Sequence, residues 1–453
     1  MKRWFGTDGI RGRVNQEPMT IEIAMRVGMA IAAVLTQDSA PENRHKVYIG
    51  RDTRGSGKML EAALVSGLSA AGWNVVLLGI LPTPAVAWLT KQDQATVGVM
   101  ITASHNPFED NGIKIFGADG FKLLDEQELA IEKWLHEGDP AAVRVDASQL
   151  GSITEMPDAA QRYAECAKLS LTDISLQGVK IIIDCGHGAA SHIGPQIFRD
   201  LGAEVISLAA NPDGKNINHQ CGAMHPERAA AAVLEHAADL AICFDGDADR
   251  VIFCDATGKV VSGDCVLALC AIGLHAQKKL RQDTLVATVM SNLGLDEAMK
   301  ARGIRVERTA VGDRHVLQRM RQNGLAFGGE NSGHLIFADF ATTGDGIMSA
   351  LQILRLMHSR RASLAELADV IEQYPQQLLN LKVKTKPELS SLTELQSLMA
   401  TADQELADQG RQLIRYSGTE AKIRILVEHR DQAVVEKWVA LFCGAIEREI
   451  GLA

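Results

Sequence analysis

A strand–helix–strand pattern recurs three times along the chain and constrains its fold more than any other feature of the sequence. Each copy places a β-type run before a polar or glycine-rich loop, a helical stretch, a Gly-x-x-Val segment and a second β-type run. The copies span residues 47–75, 180–205 and 285–306. Because two parallel strands must be joined by a crossover connection, this order predicts right-handed crossovers and mainly parallel sheets.

The C-terminal part of the chain follows a different pattern. After a helical stretch at 364–373, the predicted elements are strand 378–383, helix 392–406, strand 422–428 and helix 432–450. This β-α-β-α order indicates a small α+β domain distinct from the repeats. A chain of 453 residues is long enough for roughly two to four domains, and the changes of pattern place boundaries near residues 150, 255 and 370.

Charge and composition exclude several classes of protein. The formal net charge is −10, so the chain lacks the basic surplus of a nucleic-acid-binding protein. Residues 62–90 carry no charge, but glycines and prolines interrupt them, which predicts helix, turn, strand and loop rather than a membrane span. The N-terminus has no apolar signal-peptide core, and the eight cysteines show no C-x-x-C spacing. We therefore expect a soluble cytoplasmic protein with reduced thiols that binds neither nucleic acid nor membranes.

Three carboxylates crowd one short loop between two apolar, β-type runs. They belong to Asp245, Asp247 and Asp249. Like charges this close repel one another unless a cation lies among them, and hard oxygen ligands favour Mg²⁺, Mn²⁺ or Ca²⁺. An EF-hand is excluded because its Gly and Glu positions hold Arg250 and Ala256. The loop therefore predicts a metal site, with a solvated acidic turn as the alternative.

A hydroxyl residue stands where a buried strand is predicted to end. Residues 95–101 form an apolar run, and the segment T-A-S-H-N-P with Ser104 follows it directly. Reacting groups of α/β folds lie at the carboxyl ends of strands, and Pro107 prevents a helix from simply continuing through the loop. Ser104 is therefore a candidate nucleophile or phosphate carrier; the alternative is a turn with local hydrogen bonds.

Three further segments carry polar side chains among glycines. The segment at 328–334 (G-G-E-N-S-G-H) can bind several sugar hydroxyls, the segment at 415–420 (R-Y-S-G-T-E) suits a phosphate, and the segment at 6–12 presents Arg11 from a turn. Lys114 is either a phosphate ligand or a solvated lysine. Together with the metal triad and the hydroxyl, these segments indicate phosphoryl transfer on a phosphosugar, because a metal and cationic side chains must neutralise the moving group.

In their order and spacing, five motifs resemble those of the α-D-phosphohexomutases over nearly the whole chain. They are F-G-T-D-G-I-R-G, T-A-S-H-N-P, D-G-D-A-D-R, G-E-N-S-G-H and R-x-S-G-T-E. Within that family the sequence is most similar to the bacterial branch that acts on glucosamine phosphates. The first motif lies very near the N-terminus, and Asn331 stands where glucose and mannose mutases more often carry Met and the glucosamine branch carries Gln or Asn.

The resemblance implies an α/β fold of three similar mixed α/β domains and a smaller C-terminal α+β domain around a central active-site cleft. The corresponding ranges are 1–150 for the phosphoserine domain, 151–255 for the metal-binding domain, 256–370 for sugar recognition and 371–453 for phosphate binding. It also implies an isomerase that interconverts glucosamine 6-phosphate and glucosamine 1-phosphate through glucosamine 1,6-bisphosphate, and so supplies UDP-N-acetylglucosamine and cell-wall precursor synthesis.

The resemblance also gives each candidate residue a role. Ser104 would carry the phosphoryl group, and one Mg²⁺ per chain would bind Asp245, Asp247, Asp249 and a phosphate oxygen on Ser104. The remaining groups line the transferring phosphate (Arg11, His105, Lys114, Arg250), bind the sugar (Glu330, Asn331, Ser332) or hold the other phosphate (Arg415, Ser417, Gly418, Thr419, Arg424). His334 and Lys114 are the candidates for handling the hydroxyl proton, and residues 311–315 match a loop that faces the substrate.

Three alternatives stay open at this point. A phosphoglucomutase/phosphomannomutase has the same apparatus and differs in the C2 substituent of its substrate. A haloacid-dehalogenase-like phosphatase would use Asp245 as nucleophile, but Asp249 stands where that family has a hydroxyl residue. A silent sugar-phosphate binding protein would keep the fold without catalysis. The sequence also leaves open whether the chain forms a homodimer and how far Ser104 is phosphorylated.

Overall fold

The computed structural model describes residues 4–6, 8–36, 45–171, 173–407, 409–417 and 421–452. The chain forms two compact units: a larger unit of residues 1–290 and 303–370, and a smaller unit of residues 291–302 and 371–453. No helix in the described ranges is long and apolar enough to cross a lipid bilayer. The four domain ranges predicted from the sequence remain predictions.

Strands and helices alternate along most of the chain. The strands are β1 (Phe5–Gly6), β2 (Gly9–Arg13), β3 (Lys46–Arg51), β4 (Asn74–Ile80), β5 (Val97–Ile101), β6 (Asp110–Gly117), β7 (Ile153–Glu155), β8 (Lys180–Asp184), β9 (Glu204–Leu208), β10 (Leu240–Phe244), β11 (Val251–Asp255), β12 (Val260–Val261), β13 (Thr284–Thr288), β14 (Arg305–Thr309), β15 (Phe327–Gly329), β16 (Leu335–Phe337), β17 (Gln376–Lys382), β18 (Gly410–Tyr416) and β19 (Lys422–His429). The helices are α1 (Ile21–Leu35), α2 (Gly57–Ala70), α3 (Thr83–Gln92), α4 (Asp125–Glu137), α5 (Ala159–Leu169), α6 (Ile193–Asp200), α7 (Glu227–His236), α8 (Gly263–Ala276), α9 (Leu293–Lys300), α10 (Asp313–Asn323), α11 (Gly346–Arg360), α12 (Leu364–Leu367), α13 (Thr393–Leu406) and α14 (Gln432–Ile450).

The larger unit contains mixed sheets. Their strand orders are β1-β2-β6-β5-β3-β4-β7, β12-β11-β10-β8-β9 and β14-β13-β15-β16. The strand pairs of the three sequence repeats, β3/β4, β8/β9 and β13/β14, are parallel, which confirms the predicted pattern. Antiparallel pairs are nearly as frequent as parallel ones in the described strands of this unit, with β1/β2, β2/β6 and β5/β6 in the first sheet, β10/β11 and β11/β12 in the second and β15/β16 in the third. The sheets are therefore mixed, and the prediction of mainly parallel sheets was wrong.

The strands that lead into the site are completely buried, and their sequences explain why. β5 (V-G-V-M-I) and β10 (L-A-I-C-F) are buried along their full length, and uninterrupted apolar runs are typical of strands covered on both faces. Polar residues begin soon after each strand ends. The chain therefore leaves the carboxyl ends of these strands in loops that carry Ser104 and Asp245.

Helices α1 and α2 pack closely together in the core that covers the first sheet. The contact requires glycine at two positions. A Cβ on Gly28 would lie 2.4 Å from the carbonyl oxygen of Leu64, and one on Gly67 would lie 2.1 Å from that of Met25. Larger residues at these positions would push the helices apart.

The smaller unit contains the antiparallel sheet β17-β19-β18, against which α13 and α14 pack. The final helix begins at Gln432 and ends at Ile450, as predicted. Two predictions for the C-terminal part were wrong. The helical stretch expected to end at residue 373 ends at Leu367, and β18 was not anticipated, so the order is β-α-β-β-α.

Both differences have a physical reason. The side chain of Asn292 binds the backbone N–H and the carbonyl of Tyr374, each at 3.0 Å, and this pairing holds the segment before β17 in a non-helical conformation. In β18, Arg411 and Arg415 mask the strand pattern. Arg411 is there because it pairs with the buried carboxylate of Glu428 at 2.8 Å.

Candidate active site

The loop of residues 245–250 joins β10 and β11, which pair as an antiparallel hairpin. Its three carboxylates, on Asp245, Asp247 and Asp249, are buried, and each offers an oxygen within 4.8 Å of the other two. The Oδ1 atoms of Asp247 and Asp249 are buried without a hydrogen-bond partner in the described part of the chain. Buried unpaired oxygens are costly. Burial therefore excludes the solvated acidic turn and leaves carboxylate oxygens that can bind a cation.

Main-chain contacts hold this loop in place. The carbonyl oxygens of residues 246, 247 and 248 accept hydrogen bonds of 2.8, 2.9 and 3.0 Å from the N–H groups of Ala189, Thr83 and Gly346. The first of these positions must be glycine, because a Cβ there would lie 2.5 Å from the carbonyl oxygen of Ser104. Three distant segments of the larger unit thus fix the loop beside the serine.

Ser104 lies in the loop after β5 and is fully buried. Its Oγ donates to Asp245 Oδ2 at 2.7 Å, and its N–H donates to the Thr102 hydroxyl at 2.9 Å. Its φ of +52° lies in the left-handed region, which a non-glycine residue adopts when its surroundings hold it there. The environment therefore holds the serine hydroxyl against the carboxylate cluster.

Sequence reasoning missed two residues that hold this loop. Arg54 is fully buried, pairs with Asp52 at 2.9 Å and donates to the carbonyl oxygens of residues 104, 106, 107 and 110. Asn218 donates to the carbonyl oxygens of residues 104 and 106 at 2.9 and 3.1 Å. The segment D-T-R after β3 was a usable signal, because β3 and β5 are parallel neighbours and end at the same sheet edge. Asn218 had no comparable local signal.

Lys114, on β6, is buried among carboxylates. Its ammonium lies 2.8 Å from Asp247 Oδ2, 2.9 Å from Asp249 Oδ2 and 3.1 Å from Asp8 Oδ2. Burial acts to lower the pKa of Lys114, but the three carboxylates outweigh burial and raise this pKa well above its ordinary value. Lys114 is thus a fixed buried cation and not a solvated lysine.

The aspartates of the cluster differ in their charge environment. Burial raises the pKa of Asp245 well above its usual range, and the carboxylates of Asp249 and Asp247 raise it further. Burial acts in the same direction on Asp249, but Lys114 and His334 outweigh it and hold the pKa of Asp249 well below the usual range. A cation between the three carboxylates would relieve the repulsion that raises the pKa of Asp245.

His105 and Arg250 lie beside the serine hydroxyl. The Nδ1 atom of His105 is 3.5 Å from Ser104 Oγ and accepts a 2.8 Å hydrogen bond from Arg250. Because a guanidinium only donates, this nitrogen carries no proton. Burial, and then the charges of Arg250 and Arg11, lower the pKa of His105 to about 4. Arg11 itself forms an ion pair with Asp8.

A closed chain of ionisable groups connects the cluster to residues 311–315. In order, its members are Asp249, His334, Asp313, Lys122, Asp8 and Lys114. Gly344 N–H donates to His334 Nε2 at 3.1 Å, so this nitrogen is unprotonated in the structure. Burial acts to lower the pKa of His334, but the two flanking aspartates outweigh it and raise this pKa. Lys122 lies outside every motif that the sequence analysis singled out.

The segment considered for sugar binding forms the hairpin between β15 and β16. Glu330 is buried, and its Oε1 accepts the N–H of Gly312 at 3.0 Å. Asn331 Nδ2 donates to the carbonyl of Met290 at 3.2 Å, and Ser332 is exposed. The hairpin backbone also binds the first residue of β11 at 3.1 Å. Glu330 and the cluster of aspartates therefore belong to one connected region of the larger unit.

The phosphate ligands expected near the C-terminus belong to the smaller unit. Arg415 and Arg424 stand opposite each other on β18 and β19, and burial together with the Arg424 charge lowers the pKa of Arg415. Arg424 Nε is buried with no hydrogen-bond partner among the described residues. Like charges in register destabilise a sheet, and an anion removes that cost. Ser417 follows β18, whereas Gly418 and Thr419 lie outside the described residues.

The donor set of the cluster fits a hard divalent cation. It consists of carboxylate oxygens and one hydroxyl, which are the ligands that Mg²⁺ prefers in proteins. Lys114 and Thr83 occupy the Oδ2 atom of Asp247, and Lys114 also occupies that of Asp249. The Oδ1 atom of Asp247 has no hydrogen-bond partner among the described residues, and that of Asp249 lies 3.6 Å from His334 Nδ1, beyond hydrogen-bond distance, so both oxygens can bind a metal ion.

Family models for phosphoglucomutase/phosphomannomutase proteins match the chain in four consecutive segments. The models of the α/β/α domains I, II and III match residues 2–142, 161–258 and 262–374, and the model of the C-terminal domain matches residues 378–445. The matches extend over most of the chain and include both units.

Individual proteins are similar over the full length. The chain is 47% identical over 452 residues to a phosphoglucosamine mutase of Geotalea daltonii, with 100% of this chain and 99% of that protein covered. Its fold is similar to a phosphoglucomutase/phosphomannomutase family protein from Burkholderia thailandensis (TM-score 0.82, 24% identity, 100% of both chains). It is also similar to an Aspergillus fumigatus N-acetylphosphoglucosamine mutase in complex with GlcNAc-6P and magnesium (TM-score 0.62, 17% identity, 94% of this chain and 99% of that one). The chain therefore belongs to the phosphoglucomutase/phosphomannomutase family.

Proposed function

We propose that this protein interconverts glucosamine 6-phosphate and glucosamine 1-phosphate, the activity for which its Geotalea daltonii relative is named. The observation that carries the proposal is the 2.7 Å hydrogen bond between Ser104 Oγ and Asp245 Oδ2. It joins a hydroxyl that can carry a phosphoryl group to a buried cluster of three carboxylates. In this role the protein supplies UDP-N-acetylglucosamine and cell-wall precursor synthesis.

The reaction consists of two phosphoryl transfers. In the first, the phosphoryl group on Ser104 moves to O1 of glucosamine 6-phosphate. The P–Oγ bond breaks and the P–O1 bond forms, while the O1 hydroxyl loses a proton and Ser104 Oγ gains one. The product is glucosamine 1,6-bisphosphate. After the sugar turns over, Ser104 Oγ attacks the 6-phosphoryl group: the P–O6 bond breaks, the P–Oγ bond forms, a proton is lost from Ser104 and one is gained by O6, and glucosamine 1-phosphate is released. The cycle begins and ends with phosphoserine, so we expect unphosphorylated protein to be inactive.

The residues around Ser104 are suited to this transfer. Asp245, Asp247, Asp249 and a phosphate oxygen on Ser104 would hold one Mg²⁺, which neutralises charge on the phosphoryl group when bound. Lys114, Arg11 and Arg250 would add fixed positive charge to the transferring phosphate, and His105 would line it. The burial of Lys114 and the partial burial of Arg250 support this assignment, because fixed charges in a water-poor site stabilise a transition state more strongly than solvated ones. Of the two candidates for the relay of the hydroxyl proton, we assign it to His334, which lies beside Asp249, because the carboxylates around Lys114 keep its ammonium protonated.

Chemistry at both ends of one sugar requires groups that bind it in two orientations. We assign the sugar hydroxyls to Glu330, Asn331 and Ser332, and the phosphate that is not reacting to Arg415, Ser417, Gly418, Thr419 and Arg424. The facing, like-charged pair of Arg415 and Arg424 supports the second assignment. The eight unpaired cysteines support a cytoplasmic location, since disulfides are rare in that reducing compartment.

The first experiment is to compare kcat/KM in Mg²⁺ for glucosamine 6-phosphate, glucose 6-phosphate and mannose 6-phosphate with phosphorylated protein. We expect a strong preference for glucosamine 6-phosphate. Ser104→Ala should lower turnover by roughly 10³-fold or more, because the variant lacks the hydroxyl that would carry the phosphoryl group. Ser191→Ala is the matched control, since Ser191 is also buried but donates to the Gly188 carbonyl.

Other outcomes would redirect the proposal. Equal or better turnover of glucose or mannose 6-phosphate would assign the protein to the other branch of the family and leave the serine mechanism intact. Rapid phosphate release by Ser104→Ala would favour a phosphatase with Asp245 as nucleophile. Absence of both turnover and Mg²⁺ binding would favour a sugar-phosphate binding protein.

A further inference from the structure

Thr83 touches the proposed metal cluster, although no sequence motif includes it. It is fully buried, and its Oγ1 donates to Asp247 Oδ2 at 2.5 Å. Lys114 donates to the same oxygen at 2.8 Å. The other oxygen of that carboxylate, Oδ1, is buried and has no hydrogen-bond partner in the described ranges. Both donors therefore bind Oδ2 of Asp247 and leave Oδ1 of the same carboxylate without a hydrogen bond from any described residue.

The local structure explains how a threonine comes to occupy this place. Thr83 is the first residue of α3 and lies between Pro82 and Pro84. The first N–H groups of a helix have no partner within the helix, and that of Thr83 donates to the carbonyl oxygen of Asp247 at 2.9 Å. Thr83 thus binds Asp247 twice, once through its backbone and once through its hydroxyl.

We propose that Thr83 is a positioning residue for the metal centre, and this inference rests on the metal site of the proposed function. A carboxylate rotates about its Cβ–Cγ bond, and either oxygen can then face a cation. Two donors on Oδ2 stop that rotation and keep Oδ1 available. Partners of this kind orient metal ligands, and their loss typically lowers metal affinity about 10- to 100-fold.

The hydroxyl of Thr83 does more than anchor the helix. The backbone hydrogen bond to Asp247 already ties the start of α3 to the loop, and it survives replacement of the side chain. Thr90, near the other end of α3, is equally buried, but its hydroxyl donates to the Val86 carbonyl of the same helix at 2.7 Å. The two threonines therefore differ in whether the hydroxyl reaches a carboxylate of the cluster.

The test is a titration of the full-length protein with Mn²⁺, a spectroscopic substitute for Mg²⁺, followed by electron paramagnetic resonance of the free ion. Thr83→Val, which keeps the shape and removes the hydroxyl, should weaken Mn²⁺ binding by about 10-fold or more. Thr83→Ser should restore the wild-type Kd, and Thr90→Val should leave it unchanged. Excess Mg²⁺ should return kcat of Thr83→Val toward the wild-type value without a change in KM for the sugar.

The outcomes separate this inference from the proposed function. If wild-type protein and Asp247→Asn both fail to bind Mn²⁺, the metal site itself is wrong. If wild type binds, Asp247→Asn does not, and Thr83→Val binds as tightly as wild type, only the role of Thr83 is overturned. Equal loss in Thr83→Ser and Thr83→Val would also overturn it. Circular dichroism checks folding, and Thr83→Ala replaces the valine variant should that variant fail to fold.

Discussion

The buried guanidinium of Arg54 donates a 2.9 Å hydrogen bond to the main-chain carbonyl of Ser104. The same group binds Asp52 and the carbonyl oxygens of residues 106, 107 and 110, so that all five of its N–H donors are used. One side chain thus determines the path of the loop that carries the serine. This explains how Ser104 keeps a left-handed backbone conformation beside the aspartates.

Arg54→Lys should lower kcat by roughly 10- to 100-fold, because small displacements of a reacting group cost that much. A lysine has its donors on one atom and cannot reproduce the planar set of donors of a guanidinium. In contrast to kcat, KM for the sugar phosphate should change little. Steady-state kinetics and a thermal melt measure the two effects. Arg26→Lys is the control, because Arg26 also binds carbonyl groups, those of Leu135 and Gly138. An unchanged kcat for Arg54→Lys would show that the loop does not need this residue.

Mg²⁺ should stabilise the protein against heat, because a cation relieves the repulsion among the buried carboxylates. At about 100 times its Kd the ion should add about 2.7 kcal/mol to the free energy of unfolding. Asp247→Asn should abolish the response in a thermal melt with and without Mg²⁺. Asp255→Asn should keep it, since Asp255 is buried but binds the Thr257 turn. The same response in both variants would contradict a metal site at residues 245–249.

The stability of the protein should depend on pH through the buried carboxyl group of Asp345. Burial raises the pKa of Asp345 from 3.8 to about 6. A carboxyl group whose pKa is raised in the folded state binds its proton more tightly there than in the unfolded chain, and so stabilises the fold below pH 4. This contribution, about 3 kcal/mol of the free energy of unfolding, is lost as pH rises through 6. The advantage of Asp345→Asn over wild type in thermal midpoint should therefore grow between pH 4 and 6 and then level off.

Tyr163 provides the companion variant for this pH dependence. Its hydroxyl binds the Asp345 carboxylate at 2.8 Å and acts to lower the pKa of that group. Tyr163→Phe should therefore shift the transition to higher pH. Melting curves of wild type and Asp345→Asn that run parallel from pH 4 to 8 would refute the assignment.

Arg424→Gln should raise the thermal midpoint in the absence of phosphate, because it removes the repulsion from Arg415 across the strand pair, worth about 0.2–1 kcal/mol. It should also weaken stabilisation by inorganic phosphate. Arg411→Gln should act in the opposite direction and cost about 2 kcal/mol, since Arg411 pairs with the buried Glu428. If phosphate stabilises Arg424→Gln as strongly as wild type, this arginine does not bind it.

The local features of this protein were readable from its sequence. Apolar runs followed by polar loops predicted β5 and β10 with Ser104 and Asp245 at their ends, and the repeats predicted the parallel pairs. These predictions depend on neighbours within a few positions, where strand burial, helix periodicity and turn residues act directly. The exceptions lie in the C-terminal part. In β18, Arg411 pairs with Glu428 on the neighbouring strand and masks the local pattern, and the helix expected to end at residue 373 ends at Leu367, where Asn292 binds Tyr374 from a distant segment.

The contacts that make the site were decided by the tertiary structure. Ser104 and Asp245 are 141 positions apart, and Thr83 and Asp247 are 164 apart. From the sequence, Lys114 was either a phosphate ligand or a solvated lysine, and only its position among three carboxylates excludes the solvated lysine. No local pattern contains such information, because side chains of separate segments meet only after the sheets have formed and packed. The sequence determined which groups are available for chemistry, and packing determined which of them share one buried, low-dielectric space.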